Sequence, residues 1–288
     1  MEHKKRRRRI NPFEFGLNTV IYLILIIVGI ITLFPVVYSL LGAFKSTQEL
    51  MTSGSILPKQ YTLDNYKYVL DKIDFSRYAF NSLFVSVMAV LTSTLMATTT
   101  AYTFSRRNFV GKKLIKTMYL ATMFIGAGAA TMYPTYKLLV DLGINKNYLG
   151  LIFLNCGAPV PIILLCESYL KGISKDFDDA AKIDGCSFFR IYAQIIMPML
   201  MPMVAVNALL TFRGVWNSYL MPMIVTAGQP KLQLLTVAIV ELKTGGGLAT
   251  MWSTILAAVN ISLIPIIIVY VLCNKQFIRG IAEGGLKG

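Results

Sequence analysis

Titratable chemistry is scarce in this sequence. It holds one histidine, His3, and 14 acidic residues against 28 basic ones, and charged residues make up only 15% of 288. A water-soluble domain carries roughly 25%. The four cysteines, Cys156, Cys166, Cys186 and Cys273, form no CxxC pair, so neither a zinc site nor a disulfide framework is supported and no metal ligands are expected. No GxxxxGK[ST] phosphate-binding loop occurs. Acids, histidine and nucleophiles form no cluster of the kind an enzyme site needs, so no catalytic residue is expected. Solenoid-period repeats are also lacking, as is any soluble basic domain, which argues against nucleic acid as a partner despite a net charge of +14.

Apolar residues are abundant instead, at 55%, and mean hydropathy is +0.61. They gather into six runs, about 17–43, 79–104, 117–140, 149–170, 199–225 and 251–273. Runs of about 18 or more cross a bilayer core roughly 30 Å thick. The chain therefore reads as an all-α polytopic membrane protein with six transmembrane helices. The first run exceeds a signal-peptide core and reads as an uncleaved anchor. Gly126, Gly128 and Pro134 interrupt the third run, and Pro159 and Pro161 the fourth. Such breaks are tolerated where neighbouring helices satisfy the freed backbone groups.

Basic residues set the direction. With the N-terminus inside, segments 1–16, 105–116, 171–190 and 274–288 hold 18 Lys and Arg in 63 residues. The opposite segments, 44–78, 141–148 and 227–250, hold 8 in 67. This bias places both termini in the cytoplasm. The organisation expected is a basic tail at 1–16, a first helix at 17–43, an extracytoplasmic segment at 44–78, a core at 79–275 and a cytoplasmic tail at 276–288. Lys4 to Arg9 is then a cytoplasmic anchor.

The cytoplasmic segment 171–198 has its own design. Ser174 suits an N-cap, and Asp176, Asp178 and Asp179 suit the positive end of a helix. Ile173, Phe177, Ala180 and Ala181 are spaced to share one helical face, and Gly185 suits a C-terminal stop. Ser187 can cap a second helix leading into the fifth run. Asp179-Ala180-Ala181, Asp184-Gly185, Ile195 and Pro198 resemble the EAA loop of binding-protein-dependent ABC importer permeases: Glu-Ala-Ala, three residues, Gly, nine residues, Ile-x-Leu-Pro. Asp179 replaces Glu, Cys186 the usual Ala and Met197 the Leu.

Other stretches resemble the sugar-importer branch of maltose-transporter type. They are Asn81-Ser82, Ala101-Tyr102 before Ser105-Arg106-Arg107, Pro134 to Leu139 with Leu142-Gly143, Trp216-Asn217 with Tyr219 to Pro222, and Phe277 to Gly280 with Gly284 to Gly288. The resemblance runs from about Tyr61 to the C-terminus. It implies a carbohydrate permease in a bacterial cell membrane, with no cofactor of its own and ATP held by partner subunits. The partners implied are a second homologous permease, two ABC ATPase subunits and an extracytoplasmic solute-binding protein. Asp179, Ala180, Ala181, Asp184, Gly185, Ile195 and Pro198 would couple to the ATPase.

Candidate pathway residues are Asn155, Asn207, Arg213, Trp216, Asn217 and Tyr219, because aromatic faces stack on sugars and amides bond hydroxyls. Arg213 is a charge within a span and functional by default; the alternative is a structural pair with Glu167 or with a partner's acid. The run from Met197 to Met203 reads as adaptable packing. Gly245, Gly246 and Gly247 are expected to give the loop 227–250 the freedom to meet a binding protein. The rival functional reading is an ion-coupled secondary transporter. Such proteins keep acids within their spans, and here Glu167 alone is available.

Overall fold

A computed structural model describes residues 12–72, 74–124, 128–245 and 251–285, without side chains at 12–15, 72, 129, 243–245 and 277–285. No strand occurs among the described residues. In chain order the helices are α1 (Pro12–Gly42), α2 (Thr47–Thr52), α3 (Asp64–Lys72), α4 (Phe75–Arg106) and α5 (Lys112–Phe124). Then come α6 (Met132–Asp141), α7 (Tyr148–Phe153), α8 (Val160–Lys171), α9 (Asp176–Ile183) and α10 (Phe188–Ile191). The last are α11 (Met197–Met199), α12 (Met201–Trp216), α13 (Leu220–Val225), α14 (Leu235–Gly245) and α15 (Trp252–Gly285).

Among the described residues, three helices are long and apolar enough to cross a membrane unbroken: Gly16–Gly42, Phe75–Arg106 and Trp252–Gln276. The other apolar runs are assembled from pieces. The third is α5 and α6, joined through the 3-10 turn Gly128–Thr131. Gly126 lies outside the described residues. The fourth is α7 and α8, parted where Gly157, Pro159 and Pro161 interrupt hydrogen bonding. The fifth is α12 and α13. Ahead of it, Phe188–Met199 meets Met201–Trp216 at a 76° bend. A π-helical turn at Tyr192–Ile196, followed by Pro198 and Pro202, accounts for that bend.

The chain forms two units. In the smaller, described residues 12–69 and 251–260, Asn260 ties α15 to α1. Its amide donates to the Ser39 carbonyl at 3.0 Å, and the Ser39 hydroxyl donates to its Oδ1 at 2.9 Å. Asn65 finishes α1 by donating to the carbonyls of Ala43 and Lys45, 2.8 Å each. Ahead of α3, the Thr62 hydroxyl accepts from the Asp64 amide at 3.1 Å.

The larger unit is built around α4, which packs on α12 and α8. Its buried residues include a run of small ones: Ser82, Ser86, Ala89, Ser93, Ala97 and Ala101. Small side chains let helix backbones approach closely where apolar burial offers no preference for protein over lipid. Asn207 on α12 locks the contact, donating to Ser93 Oγ at 3.1 Å and Thr94 Oγ1 at 2.9 Å while accepting from Thr211 at 3.0 Å.

The stretch 227–250 departs from the glycine-hinged loop expected. Residues 235–245 are helical, and Leu234, Leu235, Val237 and Ala238 are buried. The top of α4 holds this helix in place. The Asn81 amide donates to the carbonyls of Lys231 (3.0 Å) and Gln233 (2.9 Å), and Ser82 Oγ accepts from the Leu235 amide at 2.8 Å. Tyr148 donates to Asn81 Oδ1 at 2.8 Å, bringing α7 to the same point. Gly245 ends α14, whereas Gly246 and Gly247 lie outside the described residues.

Candidate functional site

The segment 171–198 folds into two short helices whose ends are chemically specified. Before α9, Ser174 Oγ accepts from the Asp176 amide at 3.2 Å and donates to the Asp176 carboxylate at 2.8 Å. The helix itself begins after Lys175, so Ser174 fastens the approach and is not the N-cap residue. Asp176, Asp178 and Asp179 occupy the first turn. Gly185 ends the helix at φ +79°. Its amide donates to the Lys182 carbonyl at 3.0 Å, and the next amide, of Cys186, reaches back to Ala181 at 2.9 Å. This is the Schellman arrangement, with Gly185 at the left-handed position. Ser187 caps α10 by accepting from the Arg190 amide at 3.3 Å.

The helix lies differently from the face the spacing implies. Its inner side is Asp178, 4% exposed, and Ala181. Phe177, Ala180 and Ile183 point outward, with Phe177 50% and Ile183 88% exposed. The expected face fails because Ile173 precedes the helix, so helical spacing does not extend back to it. Burying an acid demands partners. Asp178 Oδ1 accepts from the Tyr102 hydroxyl at 2.8 Å, and Oδ2 lies 3.0 Å from Arg106 Nε as an ion pair. Arg106 also donates to the Ile173 carbonyl at 2.9 Å.

Asp179, the motif acid, is exposed and bonded to Lys182 at 2.6 Å; that hydrogen bond and charge hold its carboxyl below the ordinary range. Asp184 is exposed, Ile195 is half-buried against the core and Pro198 sits exposed in the bend. Tyr102 stacks on Phe188 with centroids 4.7 Å apart, and the Arg107 guanidinium lies 4.3 Å over the same ring. The end of α4 thus grips both short helices. Tyr102 and Arg106 stood out in the sequence only as matching residues, and nothing local marked them as partners of Asp178.

Two cavities open at the breaks in the apolar segments. One of about 290 Å³ is lined by Thr131, Thr135, Asn155, Ser218 and Met221 among others. Another of about 360 Å³ lies between 154–162 and the 210–215 stretch of α12. Asn155 lines both. Along α12, Leu210, Arg213, Gly214 and Asn217 form one exposed face at helical spacing, and Leu210 and Gly214 line the larger cavity.

Other candidates sit elsewhere. Asn207 is buried in the α4–α12 contact. Trp216 is buried, stacks on Phe212 at 5.4 Å and donates to the Ser262 carbonyl at 3.1 Å. Tyr219 packs half-buried against the core beside Val225 and Leu234. Glu167 does not meet Arg213. It is buried and paired with Lys116 at 2.7 Å and Lys171 at 3.2 Å. Arg213 makes no ion pair among the described residues. No cluster that could hold a metal occurs there either.

Known proteins share this design. The family profile "Binding-protein-dependent transport system inner membrane component" matches residues 94–281. The galactooligosaccharides transport system permease protein GanQ of Bacillus subtilis (strain 168) is 30% identical over 271 residues, covering 93% of this chain and 94% of that protein. The probable ABC transporter permease protein YurM of the same organism is 28% identical over 272 residues, covering 94% and 89%. Among solved structures, a chain of a bacterial ABC transporter involved in the import of the acidic polysaccharide alginate superposes with TM-score 0.79 at 25% identity, covering 96% of this chain and all of that one. With its apolar helices and capped segment 171–198, this chain belongs to the inner-membrane components of binding-protein-dependent transport systems and is a permease subunit of an ABC importer.

Proposed function

We propose that this subunit carries a carbohydrate across the membrane and is driven through the exposed face of α9 by a separate ATPase. The observation that carries the reading is a short helix pinned by a buried acid on one side while it presents Phe177, Ala180 and Ile183 to solvent on the other. An isolated helix of that length is not stable alone. Exposed apolar side chains on a braced helix mark a contact surface. Asp179, Asp184 and Gly185 border it, and Ile195 and Pro198 lie where the following segment bends. ATP is bound by two partner ATPases, a second homologous permease completes the pathway, and a solute-binding protein delivers substrate from outside. Both termini face the cytoplasm, as the basic bias requires. The binding protein would meet the side carrying 231–245.

The cavities around Asn155 fit a sugar path, because amides and hydroxyls line them at helix breaks. One relative belongs to a galactooligosaccharides transport system, and the solved transporter is involved in the import of the acidic polysaccharide alginate. The test is uptake of labelled oligosaccharides by the complex in proteoliposomes. Uptake that needs ATP and is indifferent to a proton or sodium gradient is expected; gradient-driven uptake without ATP would establish the secondary-transporter alternative.

Arg213 extends this reading. A cation within a span requires water, an anion or a partner's acid, and its exposed face continues into the larger cavity through Gly214. Arg213 is assigned to the pathway, where it meets carboxylated sugars. Arg213→Leu should lower uptake of an acidic oligosaccharide by about tenfold, the scale of one lost charge-assisted contact, with neutral uptake and assembly kept. Loss of assembled complex instead would place Arg213 at the subunit interface.

A further inference from the structure

The route from α9 to the spans along the chain is compliant. Gly172 closes α8 at one end, and Gly185 turns the chain at the other. A push on α9 transmitted only through these turns would flex them. The route through space is stiff. Asp178 is held by Tyr102 and Arg106, both in the last turns of α4, and Arg106 simultaneously holds the Ile173 carbonyl. Tyr102 also stacks on Phe188, the first residue of α10. Side-chain bonds thus brace the approach to α9, α9 itself and the start of α10 on one helix end.

The far end of α4 is clamped as well. Asn81 and Ser82 bind the backbone at 231, 233 and 235, where the chain turns into α14, and Tyr148 anchors Asn81 from α7. From Asn81 to Tyr102 the helix runs about 30 Å at 1.5 Å per residue. Between the clamps it is unbroken and proline-free, unlike the third, fourth and fifth apolar segments.

We propose that α4 is a push rod: displacement of α9 by the ATPase is passed through the Asp178–Arg106–Tyr102 cluster to α4, and through Asn81 and Ser82 to the opposite side at 231–235. Arg106, Tyr102, Asn81 and Ser82 are then positioning residues that act at a distance from substrate. This rests on the docking role proposed for α9 and adds the path by which its movement reaches the other face. Coupling between sites requires an element whose state both sites bias, and α4 is bonded to both.

The experiment uses the full complex with its ATPases and binding protein in proteoliposomes. Assembled complex, basal ATPase, binding-protein-stimulated ATPase and sugar moved per ATP are each measured. Asp178→Asn removes the ion pair at the α9 clamp, and Asn81→Ala opens the far clamp. Asn81→Ala, at the clamp away from α9, should leave ATPase capture and basal hydrolysis within about twofold, and in both variants sugar moved per ATP and stimulation should fall at least about tenfold, as loss of a buried charge or amide network allows. The double variant should be no worse than the worse single one, because one rod is cut twice. Tyr102→Phe, which removes one hydroxyl and keeps the ring stack, should give a smaller loss of the same kind, and Asp178→Glu should restore part of the coupling.

Multiplicative losses in the double variant would overturn the proposal. So would a fall confined to the amount of assembled complex with normal sugar per ATP, which would reduce the cluster to a stabilising role. If substitutions on the outer face of α9 leave ATPase capture unchanged, the docking reading fails instead, and that result is distinct from intact capture with intact coupling in Asp178→Asn.

Discussion

Gly185→Val is expected to cut uptake at least about tenfold while the spans still insert and the two permeases still pair. At φ +79° no neighbouring atom lies where a Cβ would stand, so the cost is conformational and not a collision. A left-handed backbone at a β-branched residue costs roughly 1–2 kcal/mol or more, enough to shift a two-state population by about a factor of ten. The two backbone bonds that close the helix at Ala181 and Lys182 would be lost with it. Gly185→Asn, tolerated at this helix position, should lose far less. ATPase pull-down from membranes alongside uptake is the measurement. Normal values for both in the valine variant would mean that this turn does not matter to coupling.

The largest effect is expected on the outer face of α9. Placing aspartates at both Phe177 and Ile183 introduces charge where apolar side chains stand half or mostly exposed. Neither residue supports the subunit's own core, so folding and insertion should be unaffected. If the face docks into an ATPase groove, burying two unpaired carboxylates there costs several kcal/mol, and ATPase capture should fall by at least about a hundredfold. Pull-down together with ATP-driven uptake reads this directly. Capture at the level of the unmodified chain would remove α9 as the docking element.

The first, second and sixth apolar runs were legible because each is long enough to span, and each forms one helix. The caps around α9 were legible for a related reason: Gly185 and Ser187 act on atoms a few residues away. The orientation of α9 was not. Its inner face is decided by Asp178, and an acid becomes an inward residue only when Tyr102, 76 residues earlier, and Arg106 are seen to await it. Helix α14 was hidden for the same reason. Eleven residues are too few to signal a span, and the groups that fix its start, Asn81 and Ser82, lie some 150 residues away. Arg213 and Glu167 formed a plausible pair by charge alone, yet two lysines already flank Glu167. Breaks at Gly157, Pro159 and Pro161 were visible in the sequence, but the larger cavity they open also needs Thr211 and Gly214 from another helix.

The uneven apolarity of the helices also bears on how the chain is made. The first span is the most apolar of the three long helices and is not buried against its own chain, the last is nearly as apolar, and α4 is the least apolar and the most buried. Side chains such as Leu and Ile favour partition into lipid, and hydroxyls and amides oppose it. Helix α1 is therefore suited to leave the translocon alone, as soon as it is synthesised. The serine- and threonine-rich α4 and the segments interrupted by glycine and proline are poorer passengers. Their exposed backbone groups are satisfied only by neighbouring protein, so stable lipid insertion of these segments should await α8 and α12. Composition thus predicts an ordered biogenesis, with an early anchor and a delayed central bundle.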